Sequence, residues 1–242
     1  MQNKRALQVD SFNVLLTRKK MKNLRLRVDV DGIHVSSPMR TPLYEIQNFV
    51  QQNRIWIHER QLHFDKQRQK LLDSLSDGAS IPVWGEKYTF FQKPIAKGKR
   101  AFLKETDEAL ILYSHVEDTC DLEYKQKILN DFYRKSVKLK MPELLEKWQP
   151  RVGKYAQEWG IKKMKTRWGT CNIDRARIWL NSDLARWPVG CLEYVVVHEL
   201  THLWEANHTP RFWSLVEKAM PDWKKYHGML KEIDCFECLV FL

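Results

Sequence analysis

His198, Glu199 and His202 stand in the order H-E-x-x-H. Two imidazoles four residues apart on a helix project from one face, one turn apart, and can share a metal ion. A glutamate beside the first of them can reach a metal-bound water without occupying a coordination position. Eight His and 30 acidic residues would produce this pattern by chance roughly 0.03 times in such a chain, so its surroundings must decide. They are helical and apolar: Leu192, Val195, Val196, Leu200 and Leu203 predict a helix over about residues 189–206.

A catalytic zinc needs a third protein ligand and one open position. His208 is the preferred candidate. Asn207 could end the helix in a left-handed conformation and turn His208 back toward the metal. Thr209-Pro210 then supplies the N-cap and first position of a new helix. Glu205 falls on the same helical face, but three ligands from one straight helix surround a tetrahedral ion poorly. Glu217 or Glu232, from a later helix, would complete the site from a distance. Zn²⁺ is the expected cofactor, with another divalent transition metal as the alternative.

Around this motif lie Thr166-Arg167-Trp168-Gly169-Thr170-Cys171, Asn181 with Leu184 and Pro188, YVVVHELTHL, and NHTPRFW. Together they resemble the YgjP-like metal-dependent hydrolases, whose zinc-peptidase-like domain is related to SprT-like and minimal gluzincin-type peptidases. LRLRVDVDGIHVSSP, NRIWI and PVWGEKYTF extend the resemblance over most of the chain. It implies a zincin-like C-terminal portion with zinc at His198, His202 and His208 and Glu199 as catalytic base. Thr170 stands where many relatives have Ser.

Other residues have competing readings. Arg167 ends a basic run with Lys162, Lys163 and Lys165. That run is either solvated surface or a means of holding a substrate carboxylate or phosphate, with Arg167 as the fork. Tyr194, one turn before His198, can approach the site, although packing is the simpler role. Tyr226 and His227 could donate to a developing oxyanion. Cys235 and Cys238 form a lone C-x-x-C, too little for a structural zinc and without a redox context.

The elements that must position these residues suggest an α+β protein, with a β-containing N-terminal portion and a mostly helical C-terminal one. Strands are expected at 12–16, 24–30 and 33–37, the last two joined at Asp31-Gly32. A helical stripe follows Pro42 to about residue 72, and short strands return after Gly78. Residues 121–155 read as helix interrupted by Pro142 and Pro150. Strands at 161–164 and Arg177–Asn181, with a turn at Gly169, precede the motif helix. A soft boundary near 118 divides the chain into 1–118 and 119–242, with one core shared by the two portions as the alternative.

The composition is globular, at 43% hydrophobic residues and a net charge of +11. Charge is even across that boundary, with 20 basic and 14 acidic residues before it and 21 and 16 after it. No apolar run approaches the roughly 18 residues of a membrane span, and the start lacks the apolar stretch of a signal peptide. Five scattered cysteines fit a reduced, cytoplasmic protein.

The expected function is zinc-dependent hydrolysis of the metallopeptidase type, through a zinc-held water and Glu199 as general base. One alternative is a nucleoside triphosphate pyrophosphatase or phosphohydrolase, suggested by the positive charge. Another is a nucleic-acid-binding accessory protein with a structural zinc, disfavoured because such a site has no need of Glu199. A peptide or nucleotide is the expected partner, nucleic acid is not favoured, and no membrane is involved. Oligomeric state is left open.

Overall fold

The computed structural model describes residues 4–29, 31–115 and 121–236. The fold is α+β, in two compact units, Met1–Lys70 and Leu71–Leu242. In the first unit the strands are β1 (Lys4–Val9), β2 (Phe12–Arg18), β3 (Arg25–Asp29) and β4 (Gly32–Ser37), in the sheet order β1-β2-β4-β3. Gly32, at φ +122°, makes the reversal from β3 into the antiparallel β4. Alternation puts Val14, Leu16, Ile33 and Val35 on one face, buried with Ile46, Val50 and Ile57. Ile46 and Val50 belong to α1 (Leu43–Gln52) and Ile57 to α2 (Arg54–Ser74). The single helical stripe expected after Pro42 is therefore two helices. They part at Asn53, which leaves helical geometry (φ −98°, ψ 13°) and donates its amide to the Phe49 carbonyl at 2.8 Å.

The second unit opens with β5 (Ser80–Val83), β6 (Glu86–Pro94), β7 (Phe102–Glu105) and β8 (Ala109–Ser114), in the order β5-β6-β8-β7. Next comes α3 (Leu122–Val152), 31 residues long and unbroken by its two prolines. Leu129, Tyr133, Val137, Met141, Leu144 and Trp148 form its buried stripe, while Pro142 and Pro150 lie on the exposed side. Carbonyls that lose an N–H partner there can turn to water, and the long apolar stripe holds the helix together. Phe90, Leu110 and Leu112 of the sheet share one core with α3 and the helices beyond. Residues 71–118 therefore pack with the helical portion, and the division falls at residue 70.

A three-stranded sheet follows: β9 (Glu158–Lys162), β10 (Gly169–Asn172) and β11 (Arg177–Asn181), in the order β10-β11-β9. Gly169, expected in a turn, instead starts an edge strand. A 3₁₀ segment at Ser182–Arg186 leads to α4 (Val189–Thr201), α5 (Pro210–Ala219) and α6 (Trp223–Phe236).

Gly160 of β9 pairs with Trp179 of β11, and a Cβ at Gly160 would overlap the indole ring. Gly160→Val should therefore destabilise the unit by about 1–3 kcal/mol through overpacking, and Gly160→Ala by less. Chemical denaturation midpoints of the two variants measure this gradation.

Candidate active site

The motif lies on α4, whose Leu192, Val196, Val197 and Leu200 are fully buried. A helix apolar on nearly all sides belongs inside the molecule, and that placement takes Glu199 to 4% exposure. The helix stops at Thr201, five residues short of the sequence expectation. Leu203 N–H bonds to Leu200 O at 3.1 Å and Trp204 N–H to Thr201 O at 2.9 Å, which tightens the exit into a turn. Trp204 Nε1–H donates to Val152 O at the end of α3, 2.9 Å away. Asn207 is not left-handed; the chain reverses through these successive turns instead. Thr209 then caps α5 by accepting from Phe212 N–H, with Pro210 in the first turn, as its sequence predicts.

The reversal brings His208 to His198 and His202. One ligand atom from each lies within 4.8 Å of the others, the only such trio among the described residues. His198 Nε2 and His208 Nε2 are 3.0 Å apart. Nitrogens bound at about 2.0–2.1 Å to one tetrahedral ion lie roughly 3.3 Å apart, so the trio fits a small divalent cation. His202 Nδ1 faces the Glu205 carbonyl at 3.2 Å, an interaction that leaves Nε2 for a metal. Burial, followed by the neighbouring imidazoles, pushes His198 down to about 3, and burial also lowers His202. Both rings are thus neutral, as ligation requires.

A residue with no signal of its own in the sequence holds these rings. Phe212 is fully buried, with its centroid 4.9, 4.7 and 4.8 Å from those of His198, His202 and His208. Trp213 stacks on His208, with centroids 5.6 Å apart. On the other side of His198, Tyr194 Oη lies 3.4 Å from His198 Nδ1 and 2.9 Å from His227 Nδ1. A neutral His198 that gives Nε2 to a metal carries its proton on Nδ1 and donates it to Tyr194 Oη. The tyrosine hydroxyl then donates to His227 Nδ1, which leaves the His227 proton on Nε2.

The three imidazoles, Tyr194 and His227 line a cleft of about 760 Å³ together with Glu199, Arg167 and the strand residues Gly169, Thr170 and Cys171. Burial raises the Glu199 carboxyl to about 8, opposed by the positive charge of Arg167. Gly169 makes room for it: a Cβ there would lie 2.5 Å from Glu199 Oε1. Arg167 is placed by buried Asn181, whose Nδ2 donates to Arg167 O and Met164 O, both at 3.0 Å. Asn181 Oδ1 accepts from Asp183 N–H at 3.1 Å and Met164 N–H at 3.3 Å.

The structure separates the remaining candidates from the trio. Glu205 turns its carboxylate toward Arg211 at 3.9 Å, and Glu217 pairs with Lys224 at 3.3 Å. The side chains of Glu232 and Cys235, and all of Cys238, fall outside what the structure describes. Of the basic run, Arg167 alone lines the cleft. Lys162 lies over the Trp179 ring, and Lys163 bonds to Asn130 Oδ1 at 2.9 Å. Tyr226 packs at Gly190, away from the cleft that His227 lines. Burial and the Glu199 charge push the Cys171 thiol up to about 11, which keeps it from being a thiolate nucleophile near neutrality.

A helix carrying H-E-x-x-H, a third histidine from the following turn and a buried glutamate in one cleft define a metal-dependent hydrolase of the metallopeptidase class. The chain belongs to the YgjP-like family, whose metallopeptidase-domain profile matches residues 22–233. Among solved structures, it is similar to the metallopeptidase zymogen of Pyrococcus abyssi abylysin. That similarity is at 23% identity and a TM-score of 0.35, over 38% of this chain and 91% of that one. No curated protein matches the sequence.

Gly169→Ala should displace the Glu199 carboxylate and reduce turnover while leaving metal content unchanged, because the atoms a Cβ there would meet first are those of Glu199. Metal analysis beside steady-state kinetics separates the two effects. Arg167→Gln removes the charge that holds the Glu199 pKa down, so that pKa rises. If turnover requires Glu199 deprotonated, the acid limb of kcat/KM moves to higher pH, which a pH–rate profile measures.

Proposed function

We propose that this protein is a zinc-dependent peptide hydrolase, with His198, His202 and His208 as the metal ligands and Glu199 as the general base. The observation that carries the reading is the buried Glu199 carboxylate lining one cleft with the three converging imidazoles. A divalent ion at that position supplies Lewis acidity, lowering the pKa of water and stabilising negative charge on the attacked group.

The remaining work falls to the chain. Glu199 accepts a proton on its carboxylate and returns it to the leaving group. Among the described residues no protein donor hydrogen-bonds this carboxylate, so its lone pairs are available to water and substrate. Phe212 and Trp213 hold the imidazoles in place and exclude water from behind them. The His227 Nε2 proton, set by the Tyr194 hydroxyl, can be donated to an oxygen that gains negative charge.

Peptide is favoured because β10 is an edge strand and its Gly169, Thr170 and Cys171 line the cleft. An extended peptide can add to such an edge through backbone hydrogen bonds, which a nucleotide cannot do. Arg167 and Lys231, also in the cleft, are the observation on the side of a nucleoside triphosphate substrate. Ionic strength discriminates between the two. Cleavage in a peptide library with little salt dependence and a silent nucleotide panel supports the peptide reading. Nucleotide turnover that falls with salt and in Arg167→Ala would replace it.

Replacing His198, His202 or His208 by Ala should each lower zinc stoichiometry after dialysis, read by elemental analysis. Glu199→Gln should keep the metal and lose about 10²–10⁴-fold in turnover, the usual contribution of a general base. Near-normal turnover in that metal-replete variant would remove Glu199 from the mechanism.

A further inference from the structure

The net charge of +11 is not shared in proportion to the two units. Residues 1–70 hold 14 basic and six acidic side chains, and the longer remainder holds 27 and 24. The excess is thus eight charges on the smaller unit and three on the larger. A division at 118 conceals this, because residues 71–118 add eight acids and six bases to the N-terminal count.

Within the first unit the charge is concentrated again. Residues 11–28 contain no carboxylate, and residues 18–27 contain Arg18, Lys19, Lys20, Lys22, Arg25 and Arg27. They form the end of β2, the connection after it and β3, an edge strand. All but Arg18 are exposed. Arg27 pairs with Asp29 at 2.8 Å, yet its side chain remains 70% exposed. Lys19, Lys20, Lys22 and Arg25 have no carboxylate partner among the described residues. Arg18 donates to the carbonyls of Pro38 and Met39 at 3.2 and 2.9 Å, which holds exposed Arg40 beside the same run.

Register decides what accompanies these cations. Arg25 stands opposite Ser36 and Arg27 opposite His34, and across β4 these neighbour Thr17 and Leu15. This row lies on the face opposite buried Val14, Leu16, Ile33 and Val35. It is a half-open sheet face with Leu15, Thr17, Ser36 and an Asp29-bound His34 at its centre and cations along one edge. Asp29, on the same row, pairs with Arg27 at 2.8 Å and with His34 at 3.0 Å, and the other cations have no such partner among the described residues. Like charges crowded together destabilise the folded state, and a polyanion relieves that repulsion.

We propose that this face of the N-terminal unit binds the phosphate backbone of nucleic acid, without sequence preference. Cations together with Ser and Thr hydroxyls are among the groups that contact phosphate and sugar. A membrane-binding face would interleave its cations with several inserted apolar side chains, whereas the middle of this one holds Thr17, His34 and Ser36 beside a single half-buried Leu15. The surface is independent of the cleft chemistry, so its test needs no substrate.

The experiment is fluorescence anisotropy of the full-length protein with labelled single-stranded and duplex DNA of about 20 nucleotides, across a salt series. Non-specific binding at about 10⁻⁴–10⁻⁶ M is expected near physiological salt, with log Kd rising linearly with log salt. Lys19→Ala, Lys20→Ala and Lys22→Ala combined, all in the connection between strands, should weaken binding by about tenfold or more and reduce the salt slope by roughly two to three. Adding Arg25→Ala and Arg27→Ala should weaken it further, and thermal melts confirm that each variant folds. A control removes five exposed cations of the second unit, Lys93, Lys97, Lys99, Arg100 and Lys104, and should retain most of the affinity. No binding at low salt would overturn the proposal, as would equal losses in both five-residue variants. Binding to anionic vesicles without binding to DNA would overturn it in favour of a membrane.

Discussion

A carboxylate held almost wholly out of water is the constraint around which the C-terminal unit is arranged. Glu199 sits on a helix whose other faces are apolar, and burying that helix buries the acid with it. An isolated buried charge is costly, so the group responds by raising its pKa unless something nearby compensates it. Gly169 leaves the space that a side chain would fill, and Arg167 supplies one positive charge at the cleft. The three converging imidazoles could hold a larger positive charge beside it. The same desolvation keeps His198 neutral, so one physical cause acts on both groups.

The imidazoles are held by packing and hydrogen bonds in different directions. Phe212 lies against all three rings and limits their rotation without competing for their nitrogens. The Tyr194 hydroxyl and the Glu205 carbonyl then select which nitrogen of His198 and His202 carries a proton. Asn181 acts at one remove, using three hydrogen bonds to fix the segment that carries Arg167 and a fourth to cap the 3₁₀ segment after it. A site on a buried helix, a capped turn and an edge strand has little freedom to open, which suits chemistry that depends on preorganisation.

Much of the local structure is legible in the chain. Asp31-Gly32 marks the hairpin, Thr209-Pro210 marks the start of α5, and Gly153 at φ +72° ends α3 where a left-handed residue is needed. Local signals mislead where tertiary packing outweighs them. Pro142 and Pro150 read as breaks, but a stripe of buried residues continues past them. Strands β1 and β7 lack a strong apolar alternation, since pairing with β2 and β8 is what orders them. The even charge distribution depended on where the boundary was drawn, and only the contacts between elements place it at residue 70.

The sequence by itself determined the chemistry available: two histidines at helical spacing, a glutamate between them, a third histidine just before a helix cap, and an excess of cations. These follow from residue type and short-range spacing, which the backbone's own periodicity turns into geometry. Tertiary structure decided which carboxylates are excluded from the metal trio, where α4 stops, and which aromatic ring supports the imidazoles. It also decided that Arg167 alone of its basic run lines the cleft, and that Tyr194 joins His198 to His227. Those outcomes depend on contacts between residues distant in the chain, and burial, the term that sets their energies, exists only once the chain has folded.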